Sequence, residues 1–369
     1  MKCIILKNNL IEGLTAVERS IGFSSNLPIL KDVLIKTIQG KIVFVATNLE
    51  LAVTEIISGK VIEEGVVAVP FSIFSSVAKN LTSDRITLEE KQGNLLIITD
   101  NYEAVVQGHD VKEFPIIPTL STKDFFVKLD IKLFVEILEK AIIATQYSEI
   151  RPEISGVFLK FSRDHLIVAA TDSFRLAERV ISSNQASSTF EESSVIVPFK
   201  TAEELLRILK NEKGEIVIKN DEGQIVFTTE KTEMVSRAVD GVFPEYKAII
   251  PKTTENEIVI ERTEFINALK LASSFSGKTN DITVTVGENK KYLELSSADA
   301  ALGNNCYKIP IKFKGEPLSV VFNWRFLLDG LKIYSSKEVS IGINTPERPA
   351  VIKSQGEQEV VYVVMPIRN

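Results

Sequence analysis

Histidine, the side chain most often used as a general base or metal ligand, occurs only twice in this 369-residue chain. His109 and His165 lie in different thirds of the sequence, so their spacing does not assign them to one catalytic centre. We expect both to be plain surface residues, because histidine is usually partly exposed. The sequence therefore argues against an active site built on histidine.

Other chemical motifs are incomplete. The segment SGKT at 276–279 resembles the end of a phosphate-binding loop, but that loop needs a glycine at position 272, where the chain has alanine. Two cysteines, Cys3 and Cys306, are too few and too far apart for a disulfide framework or a four-ligand zinc site. We expect both cysteines to be reduced residues of the core, and we predict neither a cofactor nor a metal.

Two aspartates could be imagined as a pair of carboxylates for acid–base catalysis. They are Asp172 in ATDSFR and Asp299 in SSADAA. Asn48 occupies the matching place in the first third, and an amide would not serve such a pair. Asparagine and aspartate side chains both bond their own backbone in turns. We therefore predict a turn role at the end of a strand for these positions.

Basic side chains recur at matching places on predicted helices. Lys79 and Arg207 are 128 residues apart, as are the Val-Pro pairs before them, and Lys332 is one position away from the same place in the third copy. Lys200 and Lys210 add to the second copy. A protein that holds a phosphate backbone without reading its sequence needs sparse, repeated cations. A solvated helix face explains the same pattern, and the residues alone leave both interpretations open.

The elements that carry these residues are repeated along the chain. The segment IVFVATNLELAVTEII (42–57) returns as LIVAATDSFRLAERVI (166–181) and more faintly as LELSSADAALGNNCYKI (293–309). The first two copies are 124 residues apart, which is about a third of the chain. Solenoid repeats run only about 20 to 50 residues, so this period indicates three whole domains.

A second repeated segment consists of a strand followed by a helix. It is VVAVPFSIFSSVAKNL (66–81), SVIVPFKTAEELLRILK (194–210) and LSVVFNWRFLLDGLKIY (318–334). These helices are predicted to begin just after Pro70, Pro198 and Phe322, because proline is favoured in the first helical turn.

Each third also has an earlier amphipathic helix, predicted at 10–22, 133–146 and 265–275. Gly-containing turns such as Gln39-Gly40, Gln92-Gly93-Asn94 and Asp221-Glu222-Gly223 separate strands rich in β-branched residues. We predict domains at 1–120, 121–252 and 253–369, with linkers near 118–123 and 251–257.

Composition limits the class of protein. The chain is 44% hydrophobic and 25% charged, which is ordinary for a globular protein. Its longest uncharged run, 65–78, is shorter than the roughly 18 residues that a membrane span needs, so we expect a cytoplasmic protein. A net charge of −6 argues against a surface that binds nucleic acid throughout, but it permits a local basic face.

Six stretches spread from end to end form a specific combination. They are LPILKDVLIK (27–36), SEIRPEISGVFLKF (148–161), AATDSFRLAERVI (169–181), VIVPFK (195–200), GVFPEYKAIIP (241–251) and YVVMPIRN (362–369). Together they closely resemble the bacterial DNA polymerase III beta subunit family, the sliding clamps.

The resemblance implies an α+β fold of three tandem clamp domains, each with two helices packed on antiparallel sheets. Two chains would join as a head-to-tail homodimer and form a ring around double-stranded DNA, and three repeats per chain agree with six domains in such a ring. The protein would be a replication processivity factor and not an enzyme, since a closed ring needs only weak contacts to stay on DNA. Its DNA contacts would be Lys79, Arg151, Lys200, Arg207, Lys210 and Lys332.

The resemblance also implies a pocket between domains 2 and 3 that binds short peptides. Its partners would be the replicative polymerase alpha subunit, the clamp loader, and other polymerases and repair proteins. Met and aliphatic side chains suit adaptable apolar anchoring, and Arg175 or Arg368 could meet acidic or carbonyl groups of the peptide. The matching residues are Ile154, Thr171, Ser173, Phe174, Arg175, Leu176, Pro244, Ala248, Ile249, Val363, Val364, Met365, Pro366, Ile367 and Arg368.

Two other functions stay open at this point. One is a scaffold of three repeats that binds peptides without DNA, which predicts no preference for circular over linear DNA. The other is a multidomain enzyme, which would require a cleft with strongly perturbed ionisable groups.

Overall fold

The computed structural model describes residues 1–22, 27–118, 120, 125–221 and 223–368. Its helices are α1 (Lys7–Val17), α2 (Phe71–Asn80), α3 (Ile131–Ile142), α4 (Phe199–Leu209), α5 (Arg262–Ser273) and α6 (Trp324–Lys332). Within these described ranges, no helix has both the length and the apolar character that a membrane crossing requires.

The strands belong to antiparallel sheets. In the first part of the chain they are β1 (Lys2–Leu6), β2 (Asp32–Ile38), β3 (Lys41–Thr47), β4 (Leu51–Ile57), β5 (Gly59–Glu63), β6 (Gly65–Pro70), β7 (Arg85–Lys91), β8 (Asn94–Ile98) and β9 (Glu103–Val106). The middle part contains β10 (Val127–Asp130), β11 (Gly156–Ser162), β12 (His165–Thr171), β13 (Arg175–Ser182), β14 (Ala186–Ser188), β15 (Glu192–Pro198), β16 (Glu215–Asp221), β17 (Gln224–Thr228) and β18 (Thr232–Arg237). The last part contains β19 (Asn256–Glu261), β20 (Asp281–Val286), β21 (Tyr292–Asp299), β22 (Gly303–Pro310), β23 (Lys312–Lys314), β24 (Leu318–Asn323), β25 (Glu338–Ile343), β26 (Ala350–Lys353) and β27 (Val360–Val364).

The first of two compact units consists of Met1–Lys132, Ser187–Phe190 and Arg207–Ala238. It contains a five-stranded sheet in the order β5-β1-β7-β8-β9 and a nine-stranded sheet in the order β14-β10-β16-β17-β18-β4-β3-β2-β6. Helices α1 and α2 pack against each other, and the rings of Phe44 and Phe74 meet edge to face in the core, 6.1 Å apart. The pairing of β18 with β4 joins the second copy of the repeat to the first.

The second compact unit consists of Leu133–Ala186, Glu191–Leu206 and Val239–Asn369. Its nine-stranded sheet has the order β15-β11-β12-β13-β27-β26-β25-β19-β23, and its four-stranded sheet has the order β22-β21-β20-β24. Helices α5 and α6 pack together, with Phe265 and Leu331 fully buried. The pairing of β13 with β27 joins the second copy of the repeat to the third.

The predicted helices exist, with shifted ends. The earlier helices of the repeat begin two or three residues before the predicted positions 10, 133 and 265. Apolar spacing marks the first buried residue, whereas a helix begins at its cap: Glu261 accepts hydrogen bonds from the N–H groups of Thr263 and Glu264. The later helices begin at Phe71, Phe199 and Trp324, as predicted.

Two predicted hairpin turns are confirmed, and one lies partly outside the described residues. Gln39 and Gly40 have φ of 49° and 71°, and Gln92 and Gly93 have 51° and 81°, which is the left-handed geometry of a two-residue type I′ turn. Residue 222 of the third turn lies outside the described residues. So do residues 119 and 121–124 of the first predicted linker.

The cysteine prediction is half right. Cys3 is fully buried in β1, where burial raises the pKa of its thiol to about 11. Cys306 is exposed, and so its assignment to the core was wrong. The reason is the alternation of side chains along β22: Cys306 and Lys308 project from its exposed face, whereas Ile309 projects from the opposite face and is fully buried.

Candidate functional site

Asn48, Asp172 and Asp299, which occupy matching places in the three copies of the repeat, form the same hydrogen bonds with the backbone. Each accepts hydrogen bonds through Oδ1 from the N–H groups two and three residues later, which confirms the predicted turn. The bonds are 3.0 and 2.8 Å for Asn48, 2.9 and 3.0 Å for Asp172, and 2.8 and 3.1 Å for Asp299. Leu49 and Ser173, the next residues in the first two copies, both have φ of 76°.

In the second unit this turn forms one wall of a cavity of about 650 Å³. Ten of the residues assigned to the peptide pocket line it: Thr171, Ser173, Phe174, Arg175, Leu176, Pro244, Ala248, Ile249, Val363 and Met365. A second cavity of about 500 Å³ shares Ser173, Phe174 and Met365 with the first and adds Pro366, Ile367 and Arg368. The two cavities therefore adjoin along one surface.

Ile154 and Val364 line neither of these cavities. Ile154 is 6% exposed in a short helical turn, and Val364 is fully buried opposite Arg175 in the sheet. The final strand is thus mainly a core strand, and it contributes Val363 to the first cavity, while Met365 comes from the segment that follows it.

Strand pairing brings the two walls together. β13 and β27 are antiparallel, with Leu176 opposite Val363. Beyond the strand, the N–H of Met365 donates to the carbonyl of Phe174 over 2.8 Å, and the N–H of Ile367 donates to Val321 over 2.8 Å. These backbone bonds fix the tail beside the Asp172 turn, although the two segments are far apart in sequence.

Arg175 is held within the cavity wall. Its Nε lies 3.0 Å from Oδ2 of Asp172, and its Nη1 bonds the carboxylate of Asp329. The guanidinium carbon is 4.5 Å from the ring centroid of Phe326, and the side chain is only 10% exposed. Two carboxylates already compensate its charge, so Arg175 is better placed to shape the wall than to bind an acidic ligand. Arg368, by contrast, is exposed and has no ion pair within the described residues.

Aromatic rings support the other side of the first cavity. Phe243 stacks on Phe158 with 4.7 Å between ring centroids, and Tyr246 meets Phe243 edge to face at 5.7 Å. The Tyr246 hydroxyl donates to the buried carboxylate of Glu178, which Lys247 also contacts at 2.6 Å. Burial, together with this carboxylate, raises the pKa of Tyr246, so its hydroxyl stays protonated.

Several lining residues were missed from the sequence. The first cavity also contains Tyr246, Pro251, Asn344, Arg348 and Pro349, and the second also contains Asn323 and Phe326. The Thr345–Pro349 stretch contains two prolines and reads only as a surface turn. Tyr246 and Pro251 had a usable signal, because both lie within the segment GVFPEYKAIIP (241–251) that resembles the clamp family.

Arg151, which was predicted to contact DNA, lines the first cavity. Its Nη1 donates to Oγ of Ser173 over 2.8 Å, and its Nε is 3.3 Å from a carboxylate oxygen of Glu153. The guanidinium of Arg151 therefore lies at the cavity, and its contact with DNA stays a prediction.

The predicted lysine contacts are all exposed. Three of them have weak partners: Lys79 lies 3.6 Å from Glu18, Lys332 lies 3.5 Å from Asp329, and Lys200 lies 4.6 Å from the ring centroid of Tyr147. Ion pairs this exposed contribute little to stability. The side chains of Lys79, Lys200, Lys210 and Lys332 are thus accessible to a polyanion.

Arg207 has a different environment. Its Nη1 donates to the carbonyl of Thr15 over 2.7 Å, and its Nη2 donates to the carbonyl of Ala16 over 3.1 Å. These carbonyls lie in the last turn of α1, where orphan acceptors and the helix dipole favour a cation. Arg207 therefore caps a helix, which was not predicted.

His109 is more than a plain surface residue. Its side chain is 45% exposed, but Nδ1 lies 2.6 Å from Oδ2 of Asp32, which is almost fully buried. The prediction of ordinary surface exposure missed this partner. In the described parts of the chain, no group of three or more His, Cys, Asp or Glu residues could hold a metal ion.

Comparison with known proteins agrees with the triplicated architecture. Models of the N-terminal, central and C-terminal domains of the DNA polymerase III beta subunit match residues 1–118, 128–245 and 247–368. The beta sliding clamp of Synechococcus elongatus is 27% identical over 374 residues, covering 100% of this chain and 99% of that protein. That of Staphylococcus aureus is 26% identical over 381 residues, covering 100% of both.

The crystal structure of the DNA polymerase III beta subunit from Thermotoga maritima superposes with a TM-score of 0.90 at 26% identity, covering 100% of this chain and 99% of that one. The repeated turn, the paired sheets and the full-length matches lead to one conclusion. The chain belongs to the bacterial DNA polymerase III beta subunit family, the beta sliding clamps of DNA replication.

Proposed function

We propose that two copies of this chain close head to tail into a ring that encircles duplex DNA and tethers the replicative polymerase to it. The observation that carries the proposal is the match of three successive clamp domains over almost the whole chain. The domains would be 1–120, 121–252 and 253–369. The protein would act in the cytoplasm, where bacterial DNA is replicated, and would catalyse no reaction itself.

Two strands at the edges of their sheets support closure of the ring by a second copy of the chain. β9 lies at one edge of the five-stranded sheet of the first unit, and β22 lies at one edge of the four-stranded sheet of the second unit. Exposed apolar side chains mark both: Val105 is 56% exposed on β9, and Leu302 is 54% exposed beside β22. Pairing β9 of one copy with β22 of the next would bury these side chains and satisfy both edges.

Exposed lysines support a loose contact with DNA. Lys79, Lys200, Lys210 and Lys332 would meet phosphates through screened, exchangeable interactions, which permit sliding. Arg207 would contribute by stabilising the end of α1, because its guanidinium already bonds two carbonyls. The net charge of −6 would discourage binding to DNA elsewhere on the surface.

The adjoining cavities of the second unit support a peptide site. Phe174 is 59% exposed and stacks on Phe326 with 6.4 Å between ring centroids, so it offers an apolar face to a ligand. Met365 lies in both cavities and would adapt to aliphatic or aromatic anchors. Arg348 and Arg368 would attract acidic groups. The partners would be the polymerase alpha subunit, the clamp loader, and other polymerases and repair proteins that carry such peptides.

DNA topology tests the ring. The protein would be placed on nicked circular DNA by an ATP-driven clamp loader, isolated by gel filtration, and then exposed to a nuclease that cuts the circle once. Loss of the bound protein on cutting is the expected result. Equal retention on circular and linear DNA would contradict the ring and favour ordinary surface binding.

Peptide binding is tested separately with a labelled clamp-binding peptide of the polymerase alpha subunit. Met365→Ala should weaken binding at least about tenfold, which corresponds to roughly 1.4 kcal/mol of lost contact. Ile62→Ala is the matched control, because Ile62 is 48% exposed on β5 in the other unit. If the two variants bind with the same affinity as the unmodified chain, the peptide site lies elsewhere.

A further inference from the structure

A groove of about 700 Å³ lies on the first unit, and none of its lining residues belongs to the sites described above. Its floor consists of apolar residues of β2 and β3, namely the buried Leu34 and Val45 and the half-buried Val43. Its rim includes Ile38 and Ile116, which are 52% and 93% exposed. We call this surface the first-unit groove. It is as large as the first cavity of the second unit, which measures about 650 Å³.

The repeat explains why the groove is open. Leu34 pairs with Val45 across β2 and β3, and Phe158, 124 residues later, pairs with Ala169 in the same register. In the second unit, Phe243 stacks on Phe158 and Tyr246 packs against Phe243. The corresponding segment of the first unit reads FPIIP where the second reads FPEYKAIIP, so it is four residues shorter and has no counterpart of Tyr246. The shorter segment still covers Leu34 and Val45, which are 4% and 3% exposed beneath Phe114 and Ile117, so the apolar surface that stays exposed lies at the rim of the groove.

The charges of the groove differ from those of the peptide cavity. Lys36, Glu64 and Glu233 line the groove, and none of them forms an ion pair with another described residue. One lysine and two glutamates give it a net charge of −1. The first cavity of the second unit is lined by Arg151, Arg175 and Arg348, and its described lining has no acidic side chain. A peptide that suits one surface electrostatically is therefore disfavoured by the other.

We propose that the first-unit groove binds a short extended peptide in which apolar side chains flank a basic residue. The apolar side chains would cover Ile38, at the end of β2, and Ile116, in the segment that follows Phe114. The basic residue would pair with Glu64 or Glu233, and Lys36 would donate a hydrogen bond to a peptide carbonyl. This is a second peptide site of opposite charge preference, and it does not depend on the peptide site of the second unit.

The test selects phage-displayed random nonapeptides against the full chain carrying Met365→Ala, which weakens the other site. Enriched peptides are then labelled, and their affinities are measured by fluorescence anisotropy. We expect Lys or Arg beside apolar residues, and binding that weakens as salt is added. The double variant Ile116→Ser, Glu233→Gln should weaken this binding at least tenfold, and the exposed control Ile62→Ala should leave it unchanged.

Ile116 is almost fully exposed, so its substitution should not unfold the unit, and thermal melting of each variant checks this. Enrichment of acidic or uncharged peptides would overturn the proposal, as would affinities that the double variant does not change. If no peptide is enriched, and Ile116→Ser instead lowers the sedimentation coefficient, the groove is a contact between copies of the chain and the peptide proposal is wrong.

Discussion

Asp172 both holds a backbone turn and pairs with Arg175, whereas the matching residue of the first copy, Asn48, only holds the turn. Oδ1 of Asp172 accepts two backbone hydrogen bonds in the turn, and its Oδ2 lies 3.0 Å from Nε of Arg175. Asn48 has only the first of these roles in the first unit. The comparison shows which part of the interaction belongs to the turn and which to the charge, and it supplies a natural control for mutation.

Asp172→Ala should lower the free energy of unfolding by about 3 kcal/mol, because it removes two turn bonds and one partner of a buried ion pair. Asp172→Asn should cost only about 1 kcal/mol, since an amide oxygen keeps the turn and Asp329 still pairs with Arg175. Urea denaturation of both variants measures the difference. Equal losses would mean that the turn bonds contribute nothing.

Glu55 shares a hydroxyl with a second carboxylate. Oγ1 of Thr232 lies 2.5 Å from Oε2 of Glu55 and 2.5 Å from Oε1 of Glu212. The hydroxyl has one proton and can donate to only one of these oxygens, so the other contact requires a protonated carboxyl group. Burial, opposed by the hydrogen bond from Thr232 and reinforced by the negative charge of Glu212, raises the pKa of Glu55 from 4.5 to about 7.

The stability of the first unit should therefore fall as pH rises from 4.5 to 7. In this window Glu55 keeps its proton in the folded chain and loses it in the unfolded chain, so rising pH favours unfolding. Each pH unit should cost up to about 1.4 kcal/mol. Unfolding free energies of the unmodified chain and of Glu55→Gln, measured at pH 5 and pH 8, isolate the effect. A pH dependence that Glu55→Gln leaves unaltered would contradict it.

At the scale of elements, α6 depends on a glycine. Gly330 faces the ring of Tyr362, and a Cβ added there would lie 2.5 Å from two ring carbons. Tyr362 is fully buried, and its hydroxyl donates to the carbonyl of Phe326 over 2.9 Å, so the ring has no room to retreat. Helix α6 can therefore approach β27 closely only because position 330 has no side chain.

Gly330→Ala should destabilise the protein by about 2 kcal/mol. Alanine gains about 1 kcal/mol in helix propensity, but overpacking a close contact costs about 1–3 kcal/mol, and the fixed ring makes the larger value apply. Gly287→Ala is the control, since no atom lies within 4 Å of an added Cβ there, and it should change stability by less than about 0.5 kcal/mol. Thermal denaturation compares the two variants. A stabilised Gly330→Ala protein would show that the ring does move.

At the scale of the whole molecule, repetition made most of the fold predictable. Strand-helix copies, the helices after Pro70 and Pro198, and the turn at Asn48 and Asp172 were all visible in the sequence, because each depends on local residues. The division of the chain into two compact units could not be predicted from the repeats. β4 pairs with β18 and β13 pairs with β27, so sheets cross the repeat boundaries and the two units do not follow the three copies.

The cavities of the proposed peptide site were predictable in their local parts only. The turn at Ser173 and Phe174 and the tail at Met365 were identified from sequence resemblance, and they do line the cavities. Arg348 and Asn344 were missed because their loop reaches the Asp172 turn only through the long-range pairing of β13 with β27, beside which β26 lies. Ile154 and Val364 were assigned to the pocket but are buried, since adjacency in sequence does not give the direction of a side chain.

The proposal that two copies of the chain encircle DNA is tested most directly by closing the ring covalently and measuring whether it stays topologically linked to circular DNA. Val105→Cys places a thiol on β9, and Cys306 is already exposed on β22, so a bismaleimide can join the two edges of neighbouring copies. After loading on a nicked plasmid and cross-linking, the protein should stay with the DNA in SDS and leave when the plasmid is cut once. Release from the uncut circle by SDS, despite complete cross-linking into closed dimers, would contradict an encircling clamp.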